Sequence, residues 1–145
     1  MPADVQATRA DTWDLRVKIA GRNLATWDAQ TGGAVDSEEF TYKPGAMAEP
    51  VSLGGSKTTE NLVIRRLYRL NRDHIISDWL MRQVGKADVV ITKQPLDSDG
   101  NAWGNPITYR GTLKRVTFPE HDSTSSDAAL IEIEVTPDGY PTGMA

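Results

Sequence analysis

The feature that most constrains this chain is a period-two alternation of apolar and polar residues that returns along its length. Leu15, Val17 and Ile19 alternate with Asp14, Arg16 and Lys18. Ala129, Ile131, Ile133 and Val135 alternate with Glu132 and Glu134. Successive strand side chains point to opposite faces, so each segment reads as a strand with one face buried and one in water. In residues 60–69, Leu62, Ile64 and Tyr68 share a face with Arg66, while Val63 and Leu67 lie opposite. One face of that strand can meet a core and the other a partner. Residues 87–96 centre on the β-branched run Val89-Val90-Ile91-Thr92. Residues 107–118 change apolar phase, from odd positions (Ile107, Tyr109) to even ones (Val116, Phe118). A bulge or bend near Gly111 would do that.

Two further strands are expected at residues 24–28 and 34–43. In the second, Phe40 and Tyr42 take one face and Ser37, Glu39 and Thr41 the other. Gln30-Thr31-Gly32-Gly33 lies between them, and its turn chemistry makes the pair a hairpin. Residues 44–59 hold two prolines and three glycines and few large side chains. This reads as a long loop, beyond the usual connection length, of the kind that is either functional or disordered.

Only one stretch has a helical period. Ile76, Trp79, Leu80 and Val84 form an apolar stripe, which predicts a helix over about 73–84. Asn71 or Asp73 is suited to cap its start and Gly85 to end it. Six to seven strands and one helix make a mainly β chain: a β-sandwich or partly open barrel of antiparallel strands with one flanking helix. Residues 1–12 read as a flexible arm and not as a signal peptide. Residues 13–139 form the single domain and residues 140–145 a tail.

Composition narrows the chemistry. The 145 residues suit one domain with a modest core. Hydrophobic residues are 39% of the chain, a low share that fits either a subunit packing against neighbours or plain surface polarity. A net charge of −4, with no basic run beyond Arg65-Arg66 and Lys114-Arg115, disfavours tight nucleic-acid binding. There is no cysteine, and only His74 and His121 are imidazoles, so thiolate and multi-histidine metal sites are not expected. No apolar run is long enough for a membrane helix, and a soluble compartment is the expected setting.

Several groups could suggest chemistry. Asp97-Ser98-Asp99-Gly100-Asn101 resembles part of a calcium loop, but its glycine is fourth and Thr108 stands where the closing glutamate belongs. A hairpin turn accounts for it. His121-Asp122-Ser123 holds triad residue types without triad geometry, and there is no Gly-x-Ser-x-Gly elbow. Gly54-Gly55-Ser56-Lys57-Thr58 lacks the leading glycine of a phosphate loop and precedes a strand. His74 reads as a surface or interface histidine. Glu132 and Glu134 read as a solvated pair or as contributors to a surface potential. No cofactor, metal site or catalytic residue is expected.

The ordered set of elements carries more than any residue. It runs through a hairpin to Tyr42-x-Pro44-Gly45, then a long segment ending Leu53-Gly54-Gly55, and Glu60-Asn61-Leu62-Val63-Ile64-Arg65-Arg66. A Trp-bearing helix follows, then Leu96-Asp97-x-Asp99-Gly100-Asn101, Tyr109-x-Gly111-Thr112-Leu113-Lys114-Arg115-Val116 and Ala129-Leu130-Ile131-Glu132-Ile133-Glu134-Val135-Thr136-Pro137-x-Gly139. Over about residues 14–139 this resembles the tail tube proteins of tailed phages and, more loosely, the tubes of contractile injection systems. The resemblance implies a structural subunit, not an enzyme, located in a virion tail after assembly in the host cytoplasm. Six copies would form a ring, and rings would stack into a tube for DNA ejection. Implied partners are other copies, a tape measure protein, tail terminator and baseplate proteins and, in a contractile tail, a sheath. DNA would pass without specific binding, and no membrane is involved.

On that reading Ser37, Glu39, Thr41, Thr112, Lys114, Glu132 and Glu134 are expected to face the lumen. Pro44, Gly45, Met47, Pro50, Leu53, Gly54 and Gly55 would lie in a loop reaching neighbouring subunits. The competing reading is a carbohydrate- or receptor-binding β-sandwich module of a phage tail, with Trp27 and Trp103 as its ligand platform.

Overall fold

The computed structural model describes residues 13–42, 51–139 and 141, with side chains described outside 38–57. Among the described residues there are nine strands: β1 (Trp13–Ile19), β2 (Arg22–Trp27), β3 (Ala29–Gly32), β4 (Val35–Tyr42), β5 (Val51–Thr59), β6 (Leu62–Leu67), β7 (Asp88–Pro95), β8 (Ile107–Thr117) and β9 (Leu130–Pro137). One short helix, α1 (Ser77–Gln83), lies between β6 and β7. Seven strands form an antiparallel sheet in the order β2-β1-β7-β8-β9-β6-β3, and β4 and β5 pair with each other as a separate ribbon.

The sheet order dictates the shape. Its two outer strands, β2 and β3, are consecutive in the chain with only Asp28 between them. The two ends of the sheet must therefore meet, so the sheet curls into a half-barrel. Asp28 ties that corner to β6: its amide donates to the Arg65 carbonyl at 3.1 Å, and its Oδ2 accepts the Leu67 amide at 3.1 Å. Of the alternating residues read as buried, Val17, Ile19, Leu62, Ile64, Ile131, Ile133 and Val135 fill the interior, joined by Val89, Ile91 and Leu113, whereas Ala129 lies before β9 and is exposed.

Arg66 spans the seam from inside. It is 2% exposed on β6, yet its Nη1 donates to the carbonyls of Leu24 and, at 3.2 Å, Thr26 on β2. Its guanidinium lies 4.3 Å over the Trp27 ring, and its Nη2 meets Asp73 Oδ1 at 2.5 Å. Asp73, also buried, accepts at Oδ2 from the Arg69 amide at 3.0 Å and from Arg72 at 2.8 Å. Burial works against the Asp73 carboxylate. The bonds from Arg72 and the Arg69 amide and the charge of Arg66 prevail, and they hold its carboxyl below the usual range.

Several expectations are corrected here. Residues 24–28 and 34–43 do not form a hairpin. β2 pairs with β1 through the two-residue turn Ala20-Gly21, β3 pairs with β6, and β4 pairs with β5. β2 reads weakly because its two buried residues, Leu24 and Trp27, are three apart. A bulge absorbs the extra residue, with Ala25 at φ +62° and its amide bonded to Asn23 Oδ1 at 2.9 Å. The segment 44–59 is not one loop, since Val51–Thr59 is a strand. The β8 bulge falls at Lys114, between Leu113 and Arg115, and not near Gly111. Gly111 instead lets β8 lie close against β9, since a Cβ there would sit 2.2 Å from the Thr136 carbonyl oxygen.

The helix is also shorter than its pattern. Leu70–His74 makes one π-helical turn, in which the amides of Arg72, Asp73 and His74 all donate to the Arg69 carbonyl. Neither Asn71 nor Asp73 caps α1, because Asp73 is held by Arg66. Ile76 and Leu80 are buried and Trp79 packs on the core, while Val84 is 38% exposed. Gly85 does end the helix, at φ +86°, and its amide donates to the Leu113 carbonyl of β8 at 2.7 Å.

Breaking a buried ion pair leaves an uncompensated charge, so Arg66→Leu and Asp73→Leu are each expected to cost about 3–5 kcal/mol in urea melts, with the double variant costing less than their sum. Asp73 has a depressed folded-state pKa, so its stabilisation is complete above its unfolded value and is lost as pH falls through the folded one. Acid melts of the wild type should show this loss and those of Asp73→Asn should not. Ala20 adopts φ +51° in the β1–β2 turn. Replacing it by Asn, which tolerates that conformation and precedes Gly21, is expected to stabilise by about 0.5–1 kcal/mol in the same melts.

Candidate functional site

Among the described residues, surfaces that could act on a partner include a polar sheet face, the β4–β5 ribbon, the β7–β8 hairpin tip and an apolar groove. Each follows from local sequence.

The polar face is the side of the barrel sheet turned away from the core. Thr112, Lys114, Glu132 and Glu134 lie on it, on adjacent strands β8 and β9. The bulge at Lys114 turns both Lys114 and Arg115 outward against one glutamate. Lys114 Nζ stands 3.0 Å from Glu134 Oε2, Arg115 pairs with Oε1, and Asn61 Nδ2 donates to Oε2 at 3.0 Å. The hydrogen bonds from Lys114 and Asn61, with the charge of Arg115, hold the Glu134 carboxyl below the usual range. Glu132 lies opposite Arg65 on β6, at 3.9 Å. Thr112 sits between Asp88 of β7 and Thr136 of β9. Both glutamates are thus neutralised by neighbours, and the face is mixed in charge.

Ser37, Glu39 and Thr41 are not on this sheet. They belong to β4 of the ribbon, opposite Lys57, Gly54 and Ser52 of β5. Leu53, Gly54 and Gly55 lie on β5 and not in a loop. Pro44, Gly45, Met47 and Pro50 lie outside the described residues. The ribbon joins the barrel at its base, where the Glu60 amide donates to the Ala34 carbonyl at 3.0 Å. At about 3.4 Å per residue, its eight- and nine-residue strands carry it some 27–30 Å along.

The β7–β8 tip is a built turn. Asp97 Oδ1 accepts the amides of Asp99 at 2.9 Å and Asn101 at 3.0 Å, and Gly100 has φ +83°. Gln94 Nε2 donates to the carbonyls of Trp103 and Gly104, each at 3.1 Å. Trp103, 57% exposed, is therefore held outward on a braced hairpin. Trp27 is buried under Arg66, so the two tryptophans form no shared platform.

The groove lies between α1 and the ends of β6 and β8, and is lined by Tyr68, Leu70, His74, Met81, Phe118 and Ala129. Tyr68 shares a 2.8 Å hydrogen bond with His74 Nδ1 and meets Phe118 edge-on. Alternation and helical periodicity do not reveal this groove. Its one signal in the sequence is Leu70 and Met81, large apolar residues off the stripe of the helix. His121 and Ser123 remain exposed beside Asp122, whose Oδ1 is taken by Thr124 in a turn.

No known family model and no curated protein sequence matches the chain. Solved structures do share its fold. A chain of the PVC sheath–tube complex of an extracellular contractile injection system, in its extended state, superposes with a TM-score of 0.67 at 18% identity. The match covers 95% of this chain and 93% of that one. A chain of the anti-feeding prophage tube-terminating cap gives 0.70 at 15% identity, covering 98% and 93%. A chain of the anti-feeding prophage baseplate gives 0.71 at 13% identity, covering 99% and 98%. The chain has a tail-tube-like fold over nearly its whole length.

Titration followed by carboxyl NMR should place Glu134 below the ordinary glutamate value, and Lys114→Met should move it back up. An unchanged midpoint in that variant would show that Lys114 does not hold the carboxylate.

Proposed function

We propose that this chain is a structural subunit of a phage tail tube or a related injection tube. Copies close into six-membered rings, and rings stack into a channel through which DNA is ejected. The observation that carries the reading is the β4–β5 ribbon, whose strands pair with each other and with no other strand among the described residues. A lone two-stranded ribbon is marginal in water. Its free edges are templates for another chain, and a cyclic arrangement of copies satisfies them without uncontrolled growth. The fold shared with tube, cap and baseplate assemblies supports the same reading.

The polar face of β8 and β9 is the candidate lining. With Glu132 and Glu134 balanced by Arg65, Lys114 and Arg115, it offers DNA no dense positive surface to grip. Thr112, Lys114, Glu132 and Glu134 then face the lumen, with Ser37, Glu39 and Thr41 continuing that lining on the ribbon. The segment holding Pro44, Gly45, Met47 and Pro50, between β4 and β5, reaches the neighbouring subunit. Partners at the ends and on the outside are a terminator, a baseplate and a sheath, with a tape measure protein inside during assembly.

Purified protein examined by negative-stain microscopy and native mass spectrometry is expected to give six-membered rings and stacks of them. A monomer at every concentration and ionic strength would overturn the proposal.

A further inference from the structure

The two remaining surfaces, the Trp103 hairpin and the apolar groove, lie at opposite ends of one strand. The hairpin tip precedes Ile107, the first residue of β8, and Phe118 of the groove follows Thr117, its last. Eleven residues at about 3.4 Å each separate them by roughly 35 Å. One end of the subunit thus presents a braced, exposed indole, and the other presents an apolar recess with Leu70 72% and Met81 53% exposed. The two ends also carry single groups of opposite sign. Residues 96–106 hold Asp97 and Asp99 and neither Lys nor Arg. The turn beside the groove holds the exposed Arg69 and also Arg72, which is paired with Asp73 at 2.8 Å; Glu120 stands next to Pro119 on the β8 side, and Asp78 of α1 is paired with Arg82.

We propose that the groove receives the Trp103 hairpin of a second copy, so that opposite ends of β8 form the head and the tail of the contact between successive rings. An apolar projection and a matching recess on different faces of one molecule make a heterologous contact that does not close, and such a contact extends into a filament. An aromatic anchor in a desolvated pocket is the usual centre of an interface. Asp99 then stands near Arg69 of the next copy and sets the polarity of stacking. This contact rests on the proposed ring assembly, whose own failure has a different signature.

The test compares stack length by microscopy and ring stoichiometry by native mass spectrometry in the full chain. Trp103→Ala and Met81→Lys are expected to leave six-membered rings intact and to shorten stacks at least tenfold. Trp103→Phe should retain stacking. Asp99→Lys and Arg69→Glu should each shorten stacks, and their combination should lengthen them again. Far-UV circular dichroism and melting confirm that each variant is folded. Wild-type-length stacks with both Trp103→Ala and Met81→Lys, or single-variant defects that the charge exchange does not repair, would overturn the inference. Loss of rings in the wild type would instead overturn the assembly reading.

Discussion

The corner at Asp28, where the two ends of the curled sheet meet, is the constraint on which the rest of the structure depends. One residue separates the first and last strands of a seven-stranded sheet. The sheet therefore cannot lie open, and its interior must accommodate a corner where strand pairing is incomplete. β2 bulges at Ala25 and leaves the carbonyls of Leu24 and Thr26 to be satisfied from inside. An apolar residue on β6 could not do this. Arg66 can, since its planar fork reaches several acceptors at once. Its charge then requires Asp73, and drawing Asp73 inward reshapes the chain before α1 into a π-helical turn. The groove beside α1 is lined partly by that turn, so a surface feature traces back to an unpaired seam.

This chain of causes also explains what the sequence reveals. β1, β6 and β9 are legible because one face of each fills the barrel, and burial writes a period of two. β2 is nearly invisible, because its bulge spaces Leu24 and Trp27 three apart. β5 reads as loop for a different reason. Val51–Thr59 belongs to a ribbon outside the barrel sheet, so no barrel core imposes alternation on it. The helix start is misleading because Asp73 has the chemistry of a cap, and its partner on β6 is identified only by three-dimensional proximity. The phase change in β8 does mark a bulge. Its position is not legible, because Gly111 signals a bulge and a close backbone approach equally well.

The candidate surfaces are legible to different degrees. The outward phase of Glu132 and Glu134 follows from alternation, but their neutralisation does not. That of Glu134 needs Lys114 and Arg115 both turned to one face by the bulge, and that of Glu132 needs Arg65 opposite it on β6. The result is a face of mixed charge. The groove is signalled only by Leu70 and Met81, since its lining comes from the end of β6, the π-helical turn, α1 and the β8 end together.

The central claim is that a single copy leaves its ribbon incomplete and that other copies complete it. Amide hydrogen exchange across β4 and β5, compared between dissociated and assembled protein, tests this most directly. The account predicts fast exchange in the dissociated subunit and strong protection on assembly, with the barrel strands β7, β8 and β9 protected in both states. Equal exchange of the ribbon in the two states would contradict it.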